Sequence, residues 1–321
     1  MDFDGSSPKG MTCHLILCSA AAFAPVYFFG YYGIMRSAET GRSNIHLGER
    51  VLKRENDLGR DPIRSLVLRV ALPSMLAQFV SVFYSIVDRM YIGNIPEIGD
   101  TALAGVGICG PIVTLVGAFA FLVGVGGAPL MSIKLGEGDR DAAERILANC
   151  FLMLLVLSAV LTAVSLLIRE KLLMWFGAST VTFPYANAYI TIYLMGTVFA
   201  LMSSGLNQFI VCQGFANAGM RSVLLGAVLN IVLDPILIFL LDMGVQGAAL
   251  ATVISQMASC AYVLLFLFGR RPPVRITFGH YRLKTVRSVL TVGMTSFLII
   301  AMDNVMIIAM NAILQKYGGA G

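Results

Sequence analysis

The sequence predicts an all-α fold, a polytopic membrane helix bundle, on three observations. Apolar residues make up 57% of the 321 residues, and charged residues make up 13%, about half their share in soluble domains. The apolar residues are gathered into long runs, each near the roughly 20 residues that a helix needs to cross a bilayer. These runs lack the short alternating pattern of a membrane β-barrel. The composition therefore excludes a soluble enzyme, a disordered chain and a disulfide scaffold.

Seven apolar runs follow residue 60, and each predicts one membrane-spanning helix. Their approximate cores are Leu66–Gly93, Thr101–Ile133, Ile146–Ile168, Tyr185–Val211, Val223–Leu241, Gln246–Phe268 and Val289–Leu314. Proline and glycine within several runs are compatible with membrane helices, because neighbouring helices can satisfy the freed backbone carbonyls.

The connections between the runs predict the orientation of the bundle. Connections 50–65, 134–145, 214–222 and 269–287 together contain 15 Lys and Arg residues, whereas the three connections between them contain two. Because basic loops favour the cytoplasm, we expect the basic loops of a plasma-membrane protein to lie on that side. The basic residues are not interleaved with aromatic ones, so we interpret them as topology signals and not as a nucleic-acid surface.

Residues 1–60 form an amino-terminal extension of a different kind. Within it, Thr12–Met35 is an uncharged run of 24 residues. The run fits an extra helix over 12–35, a signal sequence, or a misassigned start with the functional chain beginning at Met35 or later. The residues before it include two Asp and one Lys, a poor positive region for a signal peptide.

A short repeat predicts the domain organisation. The segment Val70–Leu76 reappears as Val292–Leu298, 222 residues later and separated from it by six helices. Such parallel repeats are typical of two-lobed transporters. We expect a six-helix lobe over 61–268, a basic cytoplasmic linker over 269–288, and the first helix of an incomplete, truncated second lobe over 289–321. A chain of one lobe and one helix is expected to be inactive as a transporter by itself.

Three acidic residues lie within the predicted spans: Asp88, Asp234 and Asp303. A charge at membrane depth costs at least about 2.5–3.5 kcal/mol, so each is a functional candidate. Asp234 is the strongest, because Asn230 lies on the same helical face and Pro235 frees a backbone carbonyl. These oxygens can bind a small cation, or the buried carboxyl group can hold a proton. The alternative is an acid that hydrogen-bonds to neighbouring helices and only supports packing.

Asp88 lies on a polar stripe of the first helix with Ser81 and Tyr84, which favours a water-filled cavity. The alternative for Asp88 is a surface ion pair with the adjacent Arg89. Asp303 lies in the middle of the last helix, and its role is left open. The cysteines form no CxxC pair, so we interpret them as small buried side chains and not as metal or redox ligands.

Four motifs resemble one known family. They are Pro73–Gly93, Ala102–Pro111, Lys134–Asp139, and Asn230–Pro235 followed by Met243–Thr252. In this order they resemble the multidrug and toxic compound extrusion (MATE) transporters over about residues 62–321. The resemblance implies twelve helices in two parallel six-helix lobes. It also implies export of cationic or amphipathic compounds in exchange for Na⁺ or H⁺, with no other cofactor.

The resemblance also implies functional residues. The cation-binding residues would be Asp88, Asn230, Asp234 and Thr252, with Na⁺ a candidate ligand of the first three. The substrate cavity would be lined by Tyr84, Tyr189, Ser204 and Asn207, and the hinges would lie at Pro73 and Pro235. Ser204 stands where some members carry an amide, which leaves the preferred ion open.

The leading hypothesis is a cation-coupled antiporter that exports cationic or amphipathic drugs by alternating access. Its partners would be small organic cations or amphipathic drugs and the lipid bilayer, with no nucleic acid. A lipid-linked oligosaccharide flippase of related architecture is an alternative that would favour a basic cavity, and an inactive transporter fragment is another. A membrane enzyme is disfavoured, because the sequence has no HExxH motif and no paired aspartates for a polyprenyl diphosphate.

Overall fold

The computed structural model describes residues 63–279 and 281–317, and within these it describes the side chains of 71–279 and 281–310. The described residues form helices and no strand. The extension 1–60, with its candidate helix over 12–35, lies outside the described residues.

Eight helices make up the described part of the chain. They are α1 (Ile63–Gly93), α2 (Gly99–Gly136), α3 (Arg140–Trp175), α4 (Phe183–Met195), α5 (Thr197–Cys212), α6 (Ala216–Pro235), α7 (Gly244–Phe268) and α8 (Leu283–Tyr317). A π-helical turn, Ile236–Leu240, continues α6. Six spans are long and apolar enough to cross a membrane, and the bent pair α4–α5 supplies a seventh. The prediction of an all-α bundle with seven runs is confirmed.

The fourth predicted span differs from a single helix. It was expected as one run over Tyr185–Val211, but α4 and α5 meet at Gly196 with a bend of 58°. A Cβ atom on Gly196 would lie 2.5 Å from a methyl group of Val253 on α7. Glycine at the bend therefore lets a side chain of α7 pack where a larger residue would exclude it.

The connections between the helices alternate between two ends of the bundle. The short-loop end comprises residues 94–98, 176–182 and 241–243, and the basic end comprises residues 137–139, 213–215 and 269–282. At the basic end, Asp139 caps α3, because its Oδ1 accepts a hydrogen bond from the Ala142 amide at 2.9 Å.

The longest helix, α2, occupies the centre of the bundle and packs against α3, α4, α5 and α8. One buried apolar cluster lies near the short-loop end and includes Ile92 and Leu194. A second lies near the basic end and includes Leu147, Phe209 and Leu267. Helices α2, α3 and α7 contribute buried residues to both clusters, so both ends of the bundle are packed.

Glycine allows α2 and α8 to cross closely. A Cβ atom on Gly293 would overlap the carbonyl oxygen of Leu122, and one on Gly126 would overlap that of Val289. Small residues at such a crossing let two membrane helices approach backbone to backbone. Helix α8 begins at Leu283, six residues before the predicted core of this span, and it packs against the preceding helices.

Two amide side chains hold the linker 269–282 against the helices at the basic end. The Oε1 atom of Gln213 accepts a hydrogen bond from the Val274 amide at 3.0 Å. The Oδ1 atom of Asn149 accepts one from the Arg282 amide, also at 3.0 Å. The predicted linker is therefore a docked segment that fixes the position at which α8 begins.

Four cysteines lie in the described part of the chain, and each is a free thiol. Cys109, Cys150 and Cys260 are buried, and Cys212 is partly buried. These positions agree with the interpretation of cysteine as a small packing residue.

Candidate functional site

Three helices bring the predicted cation-binding residues together near the short-loop end. Asp88 comes from α1, Asn230 and Asp234 come from α6, and Thr252 comes from α7. Asn230 Nδ2 donates a hydrogen bond to Asp234 Oδ1 at 3.2 Å, as the spacing of four residues predicts. The same nitrogen lies 3.5 Å from Thr252 Oγ1, and the Thr252 hydroxyl donates to the Ala248 carbonyl at 3.0 Å.

The cluster contains buried oxygen atoms that lack a donor. Asp88 Oδ1, Asn230 Oδ1 and Asp234 Oδ2 are buried and have no hydrogen-bond partner among the described residues. The exposed fraction is 9% for Asp88, 1% for Asn230 and 0% for Asp234. A buried acceptor without a partner costs about 1–3 kcal/mol. A positively charged ligand shared by these oxygens would remove that cost.

The two carboxyl groups are close enough to interact electrostatically. The ion pair considered for Asp88 and Arg89 is not among the ion pairs of the described residues, which are Lys134–Glu137 and Arg140–Glu144. Two like charges in one buried site are unfavourable unless a cation lies between them or one of them takes up a proton.

Tyrosines flank the acidic cluster. Tyr84 lies one turn before Asp88 on α1 and is near enough to interact with both carboxyl groups. Tyr189, on α4, is buried and faces Asp88 and Thr252. The sequence analysis missed Tyr193, whose ring lies parallel to that of Tyr189 with the centroids 6.3 Å apart. Its spacing of four residues from Tyr189 was the available signal.

The helix that carries Asp234 changes its hydrogen-bonding pattern directly after that residue. Pro235 has no amide hydrogen, so it cannot donate to the carbonyl of Ile231. The chain continues as a π-helical turn, in which the Leu241 amide donates to the Ile236 carbonyl at 2.9 Å. Single π turns occur frequently at functional sites. The predicted hinge Pro235 thus lies where the helix type changes.

Pro73 and Asn207 lie away from the acidic cluster, Pro73 because it precedes Asp88 by 15 residues on α1, about 22 Å along the helix. Pro73 is buried within α1, and the helix continues through it from Ile63 to Gly93. Asn207 accepts a hydrogen bond from Ser222 Oγ at 3.4 Å. Ser222 precedes Asp234 by 12 residues on α6, which is about 18 Å along the helix. Ser204, on α5, is exposed. Roles for these three residues stay predictions.

The donor set resembles a site for a hard monovalent cation or a proton more than a transition-metal site. Within the described ranges, no group of three or more His, Cys, Asp or Glu side chains could hold a metal ion. The cluster instead combines two carboxyl groups with amide and hydroxyl oxygens, the ligand type that hard cations prefer. Asp303 is half-buried on α8, and its neighbour Asn304 donates to the Ile300 carbonyl at 2.7 Å.

The MatE family model matches residues 73–236, just over half of the chain, and this range includes Asp88, Asn230 and Asp234. The chain belongs to the MATE family. The match ends one residue after Pro235, so the acidic residues of the cluster lie within the part of the chain that defines this membership.

Curated relatives of this MATE chain include multidrug export proteins of staphylococci. The multidrug export protein MepA of Staphylococcus haemolyticus is 26% identical over 254 residues, which cover 78% of this chain and 56% of the relative. MepA of Staphylococcus aureus is 24% identical over 261 residues, covering 81% of this chain and 57% of the relative. The chain thus spans about half the length of the relatives that it matches.

Solved MATE structures share the fold. A MATE protein in complex with MaD5 matches with a TM-score of 0.71 and 27% identity, covering 77% of this chain and 56% of that chain. An outward-facing multidrug resistance MATE transporter of the MOP superfamily matches with a TM-score of 0.69 and 28% identity, covering 73% of this chain and 52% of that chain. The helix bundle described above is therefore a MATE bundle.

Proposed function

We propose that this MATE chain is part of a cation-coupled antiporter that exports cationic or amphipathic drugs by alternating access. The observation that carries the proposal is the set of buried oxygens of Asp88, Asn230 and Asp234 that lack hydrogen-bond donors. Oxygens of this kind, on three residues of two helices, would bind a cation or a proton more strongly in one conformation than in another.

Coupling requires that difference in affinity. A bound cation would attract both carboxyl groups and draw α1 towards α6, and a bound proton would remove their repulsion. The π turn after Pro235 offers a place where α6 can change its hydrogen bonding as the cluster fills. An ion can drive drug release only to the extent that it binds the two conformations with different free energies.

The substrate class rests on charge and on the relatives. Two buried acidic residues near aromatic rings suit an organic cation, because both the carboxylates and the ring faces attract positive charge. The staphylococcal relatives are named multidrug export proteins. A flippase for an anionic lipid-linked sugar would need a basic cavity, and the buried charged groups of this cluster are acidic.

A flux assay tests the proposal. The complete gene product would be reconstituted in proteoliposomes, with the 321-residue chain assayed in parallel, and Na⁺ and pH gradients would be imposed separately. We expect ethidium transport by the complete protein to depend on one of the two gradients and to be lost in Asp234→Asn. Ethidium transport that persists after both gradients are collapsed would contradict the proposed coupling.

The proposed orientation needs its own test. Single cysteines at positions 95 and 271, in a cysteine-free background, lie at the short-loop end and the basic end respectively. We expect an impermeant maleimide added to intact cells to label position 95 and to spare position 271. The reverse pattern would show that the basic loops lie outside.

A further inference from the structure

A cleft at the basic end lies far from the acidic cluster. It has a volume of about 420 Å³ and is lined by Lys284, Arg287, Ser288, Thr291 and Val292. All five residues belong to the first three turns of α8, and all five are exposed. The cleft is thus an open surface depression at the point where the docked linker becomes a helix.

The polar lining of the cleft is positively charged. Neither Lys284 nor Arg287 belongs to an ion pair of the described residues. The chain from residue 269 to residue 302 contains six Lys and Arg residues and no Asp or Glu. Two basic side chains one turn apart on a helix can approach a single phosphate group together.

The helix that continues from the cleft is apolar. After Arg287 the helix is uncharged until Asp303, and its exposed residues include Val292 and Ile299, which lie two turns apart on one face. The uncharged stretch of 15 residues is about 22 Å long. The boundary between the charged start of α8 and this uncharged stretch therefore fits the depth of the lipid headgroups, with charge on one side and hydrocarbon on the other.

We propose that this cleft binds an anionic phospholipid, with Lys284 and Arg287 at the phosphate and an acyl chain along Val292 and Ile299. The Ser288 and Thr291 hydroxyls donate to helix carbonyls at 3.1 and 2.9 Å, so the phosphate takes its contacts from the two basic side chains. Basic clefts between or beside membrane helices are suited to anionic headgroups.

Hydrogen bonds within the chain hold the backbone at the start of α8. Asn149 on α3 accepts the hydrogen bond from the Arg282 amide, directly before the first residue of α8. The Thr285 amide then donates to the Arg282 carbonyl at 3.0 Å and begins the helix. Because the start of α8 is fixed, a lipid would not have to order this backbone when it binds, which favours affinity.

Native mass spectrometry of the purified 321-residue chain tests the site. The chain would be titrated with phosphatidylglycerol, with phosphatidylcholine and with inorganic phosphate. We expect phosphatidylglycerol alone to be retained. The double variant Lys284→Gln/Arg287→Gln is expected to bind it about 30-fold more weakly, because each basic residue contributes about fivefold at an anionic surface. The single variant Lys284→Arg, which keeps both positive charges, should retain much of the affinity for phosphatidylglycerol.

A matched control removes the same charge elsewhere. Arg270 and Arg271 are exposed linker residues outside the cleft, and Arg270→Gln/Arg271→Gln is expected to bind phosphatidylglycerol as the unchanged chain does. Equal losses in the two double variants would overturn the proposal in favour of general surface charge. Retention of inorganic phosphate with the same affinity, or a dimer that excludes the lipid, would also overturn it. None of these outcomes depends on drug transport.

Discussion

Replacing Asp234 by Asn separates a coupling role from a packing role. The amide oxygen of Asn can still accept the hydrogen bond that Asn230 donates at 3.2 Å. Its new NH₂ group can donate to Asn230 Oδ1, which has no partner among the described residues. We therefore expect the free energy of unfolding to change by no more than about 1 kcal/mol.

The effect on ion binding should be much larger. Asn removes one unit of charge from a buried site that holds two carboxyl groups. At about 4 Å and an effective dielectric constant of about 20, one unit charge contributes about 4 kcal/mol to the attraction of a cation. That loss corresponds to roughly a thousandfold weaker binding. The expected change in the free energy of ion binding is thus much larger than the expected change in the free energy of unfolding.

The assay is thermal unfolding of the purified chain in detergent. NaCl would be compared with choline chloride at equal ionic strength, and the series would be repeated as the pH is lowered. A ligand that binds only the folded chain raises its stability, so Na⁺ or acid should raise the unfolding temperature of the unchanged chain. Asp234→Asn should lose this shift, and Asp303→Asn on α8 should keep it. An Asp234→Asn chain with the full ion-dependent shift would refute the reasoning.

Three further substitutions test other parts of the structure. Thr252→Val should weaken Na⁺ binding about tenfold in the same assay, since it removes one hydroxyl, whereas Thr252→Ser should keep it. Gly293→Ala should lower stability by about 1–3 kcal/mol, because its Cβ would overlap the Leu122 carbonyl, whereas Gly107→Ala, with nothing within 4 Å, should not. Gln213→Ala should lower the free energy of unfolding by about 1–3 kcal/mol and speed hydrogen exchange of the Val274 amide, which donates a hydrogen bond to the Gln213 side chain.

Much of the architecture was predictable from patterns within single segments. Long apolar runs located every span of the described residues, because helix length and bilayer thickness constrain the same stretch of sequence. The pairing of Asn230 with Asp234 was predictable for the same reason, since residues four apart on one helix must face the same side.

Features that depend on contacts between helices were not predictable in this way. The family resemblance gave Asn207 as a cavity residue, but not that its side chain meets Ser222 about 18 Å from Asp234. The close contact of Gly196 with Val253 likewise joins residues more than 50 positions apart in the sequence. A sequence pattern specifies which face of a helix is polar, whereas the partner of that face depends on how the helices cross.

The docked linker also determines where the chain can be divided. The internal repeat would suggest a cut in the loop before α8, as if the last helix started an independent half. However, Val274 and Arg282 are held by side chains of the earlier helices, and Gly293 lies against the backbone of α2. Two co-expressed fragments separated at that loop would have to rebuild this interface by association of separate membrane segments. Fragment complementation and fluorescent-protein insertion should therefore leave the linker intact.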